Sequence, residues 1–538
     1  MQPIKTNPKK AHTVRLSGGL NQVATSLEMP DGNCVQLLNY EINQLGDYQS
    51  VTGFERFDGQ AAPSSAIPPN GPYVDDAVEL ADVLVERERL RALIQPVPGS
   101  GKVLGGFMLL GIKYAFRNTA DGANCALYRA TNSGWQLVVT PSLLPDGSYK
   151  FRALRWVSRG RVPEIIGVDG KNKAFVFDGT AFTQITNAGM GANDTPISVE
   201  ILPSELVLMG YPNGSLQYTP KLDWAAPAGQ GELATASDIL EIDAQPNDVT
   251  AIFCRNRTYL LYGRGDQDPN WRLTDLSKDT GIVPNTVQTI GDSVYVDDRG
   301  ITRLSRVQEF GNFDMSSFSQ LVDPLLGKYR KRIVASTVVR EKNQYRLFFD
   351  DGTGLIASFS GANLLGFSQF DFYKNVSCTW NAEDNTGAEQ VFFGDDKGYV
   401  YQMERGTSFD GNAIVTVMRP AFTPCKLNAI RKKFVKLEIE AKVVSETKLL
   451  VVPDFDHSAP TIAEHSNLNI KAIGGGGYWG QALFDDVYWS AASLFNAPLT
   501  ISGRGTEISA FIRTESLHAG PHIISAVIYH FARLGWRK

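Results

Sequence analysis

The stretch VFFGDDKGYVYQME, residues 391–404, sets an apolar strand, an aspartate-glycine turn and a second strand in direct succession. Valine, phenylalanine and tyrosine suit a pleated, half-buried surface, and the Asp-Asp-x-Gly turn supplies the reversal between them. The figure recurs upstream as VDGKNKAFVFDGTAFTQI, MGYPNGSLQYTP, CRNRTYLLYG, VDDRGITRLSR and FFDDGTGLIASF. The apolar cores begin at Ile112, Glu164, Leu206, Ala251, Ser293, Tyr345 and Val391, spaced 42 to 52 residues apart. A loosely kept period of that length, built from hairpins, predicts a β-propeller over residues 103–408. Six or seven blades fit. No blade buries both its faces alone, so neighbours must stack around an axis.

The flanks read differently. Residues 1–60 are an extended arm followed by short strands of a platform. Residues 61–102 form a linker rich in proline, serine and alanine and then a helix, DDAVELADVLVERERLRALIQ, over 75–95. Leu80, Val83, Leu84, Leu90 and Leu93 recur near helical spacing, Asp75 and Asp76 favour the N-terminal end, and Pro96 and Pro98 stop it. Beyond residue 409, AIRKKFVKLEIEAKVV, KLLVVPDF, TISGRGTEISAFIRTES and PHIISAVIYHFARLGWRK alternate with period two. That pattern predicts an antiparallel, sandwich-like platform domain over 409–538. The expected fold is mainly β: a propeller, an additional platform domain and one long helix.

Composition narrows the function. The 52 Lys and Arg against 57 Asp and Glu give a net charge of −5, so there is no basic excess for a general grip on nucleic acid. A mildly acidic surface suits a conduit that DNA slides through without sticking. Cys34, Cys125, Cys254, Cys378 and Cys425 are scattered and odd in number, which points to buried free thiols rather than disulfides or zinc. The N-terminus lacks the apolar core of a signal peptide, and no run approaches the length of a membrane span. Folding in a cytoplasm is expected.

Motifs that suggest chemistry fail on inspection. QPVPGSGKVLG, residues 95–105, looks like a phosphate loop at Gly101 and Lys102. Its upstream glycine position is Pro96, which has no N–H, and its Ser/Thr position is Val103. It reads as a turn between helix and propeller, with Lys102 solvated. The polar group Asp454, Asp456, His457, Glu464 and His465 reads as a solvated loop rather than a metal site. The pairs Asp297–Asp298, Asp350–Asp351 and Asp395–Asp396 raise the idea of glycosidase carboxylates. Each, however, precedes a glycine turn, where aspartate bonds backbone N–H groups. Arg264-Gly265-Asp266 matches an adhesion tripeptide of a kind that arises by chance. No catalytic residue, cofactor site or metal site is assigned, and the chain is expected not to be an enzyme. Gly474, Gly475, Gly476 and Gly477 followed by Tyr478 and Trp479 read either as an ordinary mobile loop or as a gate or subunit contact.

Several stretches carry a resemblance. They are SGGLNQVATSLEMPDGNCVQLLNYEINQLGDYQSVTGFERFDG from Ser17, LIQPVPGSGKVLGG from Leu93, LVLMGYPNGSLQYTP from Leu206 and VTAIFCRNRTYLLYG from Val249. GDSVYVDDRGITRLSRVQEFGNF from Gly291 and GRGTEISAFIRTES from Gly503 complete the series, in order over most of the chain. In these the chain resembles the tail-tube nozzle proteins of short-tailed bacteriophages, also called tail hub or packaged-DNA stabilisation proteins. It departs from them at Lys102 and in the LLG before IKYAF. The resemblance implies a homo-hexameric ring below the portal and its head–tail adaptor ring, in the virion tail, assembled in the host bacterial cytoplasm. Its lumen would continue the DNA channel, hold packaged double-stranded DNA and release it at infection, and its side would contact tail fibres or tailspikes. The alternatives are a phage receptor-binding or fibre-anchoring protein and a propeller glycan hydrolase.

Overall fold

The computed structural model describes residues 9–25, 28–67, 77–154, 163–185, 194–219, 232–265, 271–307, 312–384, 386–428, 430–443, 447–457, 468–472, 493–518 and 520–536. The period seen in the sequence is the period of the blades. All seven apolar cores lie on the second strand of a blade: Ile112–Asn118, Glu164–Val168, Val207–Gly210, Val249–Cys254, Asp292–Asp297, Gln344–Phe349 and Glu389–Asp395. These strands are buried on both faces because a neighbouring blade lies on each side, and so they read as continuous apolar runs. Along Ile165 and Ile166, or Phe175 and Val176, successive side chains enter opposite interfaces, as the strand period of two requires.

Seven inter-blade cores close the ring. Phe116 and Phe177 join blades one and two, Val176 and Met209 two and three, and Leu208 and Ile252 three and four. Phe253 and Tyr295 join four and five, Val294 and Leu347 five and six, Phe348 and Phe393 six and seven, and Trp380 and Ala115 seven and one. The propeller therefore has seven blades.

Closure uses a strand from the other end of the chain. Blade seven takes Val376–Glu383, Glu389–Asp395 and Val400–Met403 from the repeat region, and its outer strand is Phe54–Phe57. That segment lies within the stretch expected to belong to the platform, and its four residues carry no repeat signal of their own. Blade one likewise begins at Ser100, ahead of residue 103.

The remaining strands form a sandwich drawn from both ends of the sequence. One sheet joins Tyr40–Ile42, Tyr48–Ser50, Ile523–Trp536, Ile430–Val443 and Ser493–Gly505, with Lys10–Arg15 paired to Ile523–Trp536. The other joins Cys34–Leu38, Ile414–Pro420, Ile508–Ser516, Thr447–Phe455 and Leu468–Ala472. Leu37, Tyr40, Leu437, Ile439, Val451, Ile512, Val527 and Tyr529 fill the space between them. In Ile430–Val443 a register shift between Phe434 and Lys436 resets the alternation, so that Phe434, Leu437, Ile439 and Ala441 all point inward.

The two modules are fused. Leu38 pairs with Gln369 of blade six, which makes blade six and the second sandwich sheet one nine-stranded sheet. Across the same junction, Glu41 of the sandwich meets Lys342 at 2.6 Å and Arg346 at 3.3 Å, both of blade six. Glu404, which follows blade seven, meets the same two cations at 2.5 and 2.6 Å.

The long helix is Ala77–Leu93. Val83 and Leu90 are buried, but Leu93 is 45% exposed, so the apolar stripe read from the sequence is narrower than expected. Asp75 and Asp76 lie outside the described residues. The helix is held at its end, where Arg91 donates to Asp410 O at 2.7 Å and Gln95 N donates to Asp58 Oδ2 at 3.1 Å. No helix among the described residues is long and apolar enough to cross a membrane.

Candidate functional site: the axial cavity

The first strand of each blade faces the axis, and together these strands enclose a cavity of about 650 Å³. They place polar side chains among apolar ones along the axis, where the second strands are almost wholly apolar. Lys150 and Arg152 come from blade two, Glu200 from blade three, and Glu241 and Asp243 from blade four. Gln288, Ser336, Thr337, Ser377, Thr379 and Asn381 line the rest. A group that meets water in the cavity and bonds a neighbouring blade satisfies both demands of a half-buried polar side chain.

These side chains tie the blades into a ring. Arg152 Nε donates to Glu200 Oε2 at 2.9 Å, between blades two and three. Lys150 reaches past blade three to blade four, donating to Leu240 O at 3.0 Å and pairing with Glu241. Ser293 Oγ donates to Asp243 Oδ2 at 2.5 Å, and Gln288 Nε2 donates to Ser336 O at 3.1 Å. Thr337 Oγ1 donates to Asn381 Oδ1 at 2.6 Å, and Ser377 Oγ donates to Val103 O at 2.7 Å. Burial pushes the Asp243 carboxyl upward against the bonds from Ser293 and Thr289. Burial also raises Glu200 against the pull of Arg152. For Arg152, desolvation is outweighed by the carboxylates of Glu200 and Glu241, which hold the guanidinium firmly charged.

Two glycines set the close approach of blade one to its neighbours. A Cβ on Gly105 would lie 2.6 Å from Tyr149 Cβ, and one on Gly106 would lie 2.6 Å from the Trp380 ring. Trp380 is 9% exposed, lines the cavity, and its indole Nε1 has no protein partner.

The motifs singled out in the sequence fall elsewhere. In QPVPGSGKVLG it is carbonyls that converge on a cation: Arg117 donates to Val97 O, to Gly101 O at 3.0 Å and to Lys397 O at 3.0 Å. Val97 N donates to Gly398 O at 2.9 Å, so the stretch is a seam between blades one and seven and the opposite of a phosphate cradle. Lys102 is exposed at the cavity wall. Asp297 Oδ1 accepts from Arg299 N at 2.7 Å, Asp351 Oδ1 from Thr353 N at 3.1 Å, and Asp395 Oδ1 from Lys397 N at 2.9 Å. The aspartate pairs are turn caps, and Asp169 performs the same task for Asn172 N at 2.7 Å. Asp454 pairs with Arg419, and Asp456 accepts from Thr506 N at 2.6 Å. Among the described residues no group of three or more acidic, His or Cys side chains is placed to hold a metal. Four cysteines are buried and Cys378 is half-buried, all as free thiols. Glu464, His465, Asp266 and the loop Gly474, Gly475, Gly476, Gly477, Tyr478 and Trp479 lie outside the described residues.

The sequence reading missed Lys150, Arg152, Glu200, Glu241 and Asp243. Their signal was available only once blade phase was known: charged residues one strand upstream of the apolar cores of blades two, three and four.

No family model and no curated protein matches the chain. Among solved structures the chain is similar to YCF48 bound to a D1 peptide, at 13% identity over 58% of this chain and 96% of that one, with a TM-score of 0.35. It is also similar to BBS1N in complex with ARL6DN, at 9% identity over 59% and 95%, with a TM-score of 0.37. The propeller is read from its own blades and their closure.

Proposed function

We propose that the chain is a structural subunit of the tail nozzle of a short-tailed bacteriophage. Six copies form a ring below the portal and its adaptor ring, line the DNA channel, retain packaged DNA and let it pass at infection. Tail fibres or tailspikes attach at the side of the ring, and assembly takes place in the host cytoplasm before the protein enters the virion tail.

The observation that carries this reading is the fusion of propeller and sandwich through one nine-stranded sheet and a buried ion network. A part of a pressurised conduit has to transmit load between the surface that binds the ring above and the module that hangs from it, and a hinge would defeat that. The resemblance in ordered stretches over most of the chain supports the same reading. The propeller's own axis does not serve as the conduit. Duplex DNA, wider than its own major groove of about 12 Å, cannot thread a cavity of about 650 Å³ whose wall holds paired side chains such as Lys150 and Glu241. In this proposal the DNA path runs between copies.

The test is to mix purified chain with the adaptor ring and image the product. Six-fold rings capping the adaptor support the proposal, and monomers that leave the adaptor bare overturn it. A receptor-binding or fibre-anchoring role is the second reading, favoured by the polar axial cavity. The residues that suggested a glycan hydrolase, Asp297 and Asp395, are occupied in turns.

A further inference from the structure

We infer that one end of the sandwich's outer sheet face is a docking surface for the phosphate backbone of duplex DNA. The strand period sets that face. In Ile430–Val443, Lys432 and Phe434 turn into the sandwich, so Arg431 and Lys433 point outward, and both are exposed. On the neighbouring strand Arg504 stands directly opposite Lys433 and is exposed as well. Lys10 lies at the margin of the same end, opposite Phe531, which in turn lies opposite Phe434. Lys426 belongs to the turn that leads into Ile430–Val443, and both marginal lysines are exposed. Lys432 does not join them, because its ammonium donates inward to the carbonyls of Leu427, Ile430 and Thr506.

Elsewhere the same sheet neutralises its cations. Lys436 pairs with Glu438 on its own strand, and His530 of the next strand meets Glu438 at 3.3 Å. At the basic end, Lys10, Lys426, Arg431, Lys433 and Arg504 have no carboxylate partner among the described residues. Like charges directly opposite on adjacent strands weaken a sheet, so the Lys433–Arg504 juxtaposition is a local cost that an anion relieves. The chain as a whole carries −5, which confines the grip to this patch. The five cations are exposed over three strands and a turn, so the anion that satisfies them is an extended one. Arg431 and Lys433, two residues apart on one face, stand about 6.6 Å apart along the strand. That matches two steps of about 3.4 Å along one strand of DNA. Regular spacing of this kind favours a nucleic-acid backbone over the irregular charges of an acidic protein.

The inference rests on the nozzle reading for the presence of DNA, but the two fail separately. Rings on the adaptor without DNA binding overturn the docking surface alone, and DNA binding at this face without rings overturns the nozzle alone. The test is fluorescence anisotropy of the full chain with a labelled duplex of arbitrary sequence, at salt from 50 to 200 mM. Five phosphate contacts give a slope of log affinity against log salt of about −4.5, so affinity is expected to fall about 500-fold over that range. Changing Lys433→Gln and Arg504→Gln together is expected to reduce the slope by about 2 and the affinity at 50 mM at least tenfold. The melting curve should stay unchanged, since both side chains are exposed. Lys102→Ala, which removes a propeller cation, is expected to alter neither slope nor affinity. Absence of binding at 50 mM overturns the inference, as does DNA affinity that survives the double change. A double variant that keeps its DNA affinity but no longer caps the adaptor overturns it too, by assigning the patch to an acidic protein surface.

Discussion

Arg346 Nη1 lies 2.6 Å from Glu404 Oε1, and the Arg346 side chain is only 2% exposed. With Glu41 and Lys342 they make a four-charge cluster that pins sandwich, blade six and the exit of blade seven to one another. Taking one member from a buried ion group leaves uncompensated charge, which costs about 3–5 kcal/mol. Arg346→Met is therefore expected to lower unfolding stability by about that amount in urea melts. A loss below about 1 kcal/mol would show that the cluster is not a lock.

The same cluster sets an acid limit. Burial opposes the charge on Glu404, but Arg346 and Lys342 outweigh it and hold its carboxyl down at about 2, below the ordinary 4.5. A depressed carboxylate contributes stability that is complete above 4.5 and is lost as pH falls from there towards 2. Glu404→Gln should flatten the pH dependence of the melting temperature in that window while lowering stability at neutral pH.

His522 acts at a higher pH. It is buried beside the Tyr40 hydroxyl, 3.0 Å from its Nε2, and burial drops its pKa from 6.5 to about 4. The unfolded chain takes up the proton first, so stability is complete above 6.5 and declines as pH falls to 4, by about 3 kcal/mol in all. Unfolding measured at steps between these limits should show that slope, and His522→Gln should remove it.

Phe54 seals the ring. Fully buried, it stacks on Phe409 at 5.0 Å and meets Phe393 at 5.1 Å and Tyr401 at 5.4 Å. Phe54→Ala should cost about 3–5 kcal/mol. Limited proteolysis should then cut blade seven first, because its outer strand is the one joined to the rest of the blade only by pairing. Uniform proteolysis over all blades would speak against closure by Phe54–Phe57.

At the seam between helix and propeller, Gly99 has φ 127°, and a Cβ there would lie 2.0 Å from Asn118 O. Gly99→Ala should destabilise by about 1–3 kcal/mol through strain and clash. Lys102→Ala, in the same stretch, should change stability by less than about 0.5 kcal/mol, since the side chain is solvated.

Much of this fold was legible because burial on both faces writes itself as apolar runs. Glu164–Val168 and Val249–Cys254 announced blades for that reason. Phe54–Phe57 did not, because a four-residue outer strand with two half-buried positions resembles any short strand, and its partner lies more than three hundred residues away. The cavity residues were hidden for a related reason. Lys150, Glu200 and Asp243 look like ordinary surface charges until the ring closes and turns them towards one another. The turn aspartates gave a clearer signal, since their hydrogen bonds reach only two to four residues along the chain.

The most direct test of the central claim is the mass of the complex that the chain forms with the adaptor ring at neutral pH. A nozzle requires six copies per adaptor ring, an added mass of six times 59.0 kDa, with Arg346→Met reducing the yield of rings. A chain that stays at 59.0 kDa and leaves the adaptor mass unchanged would contradict the account.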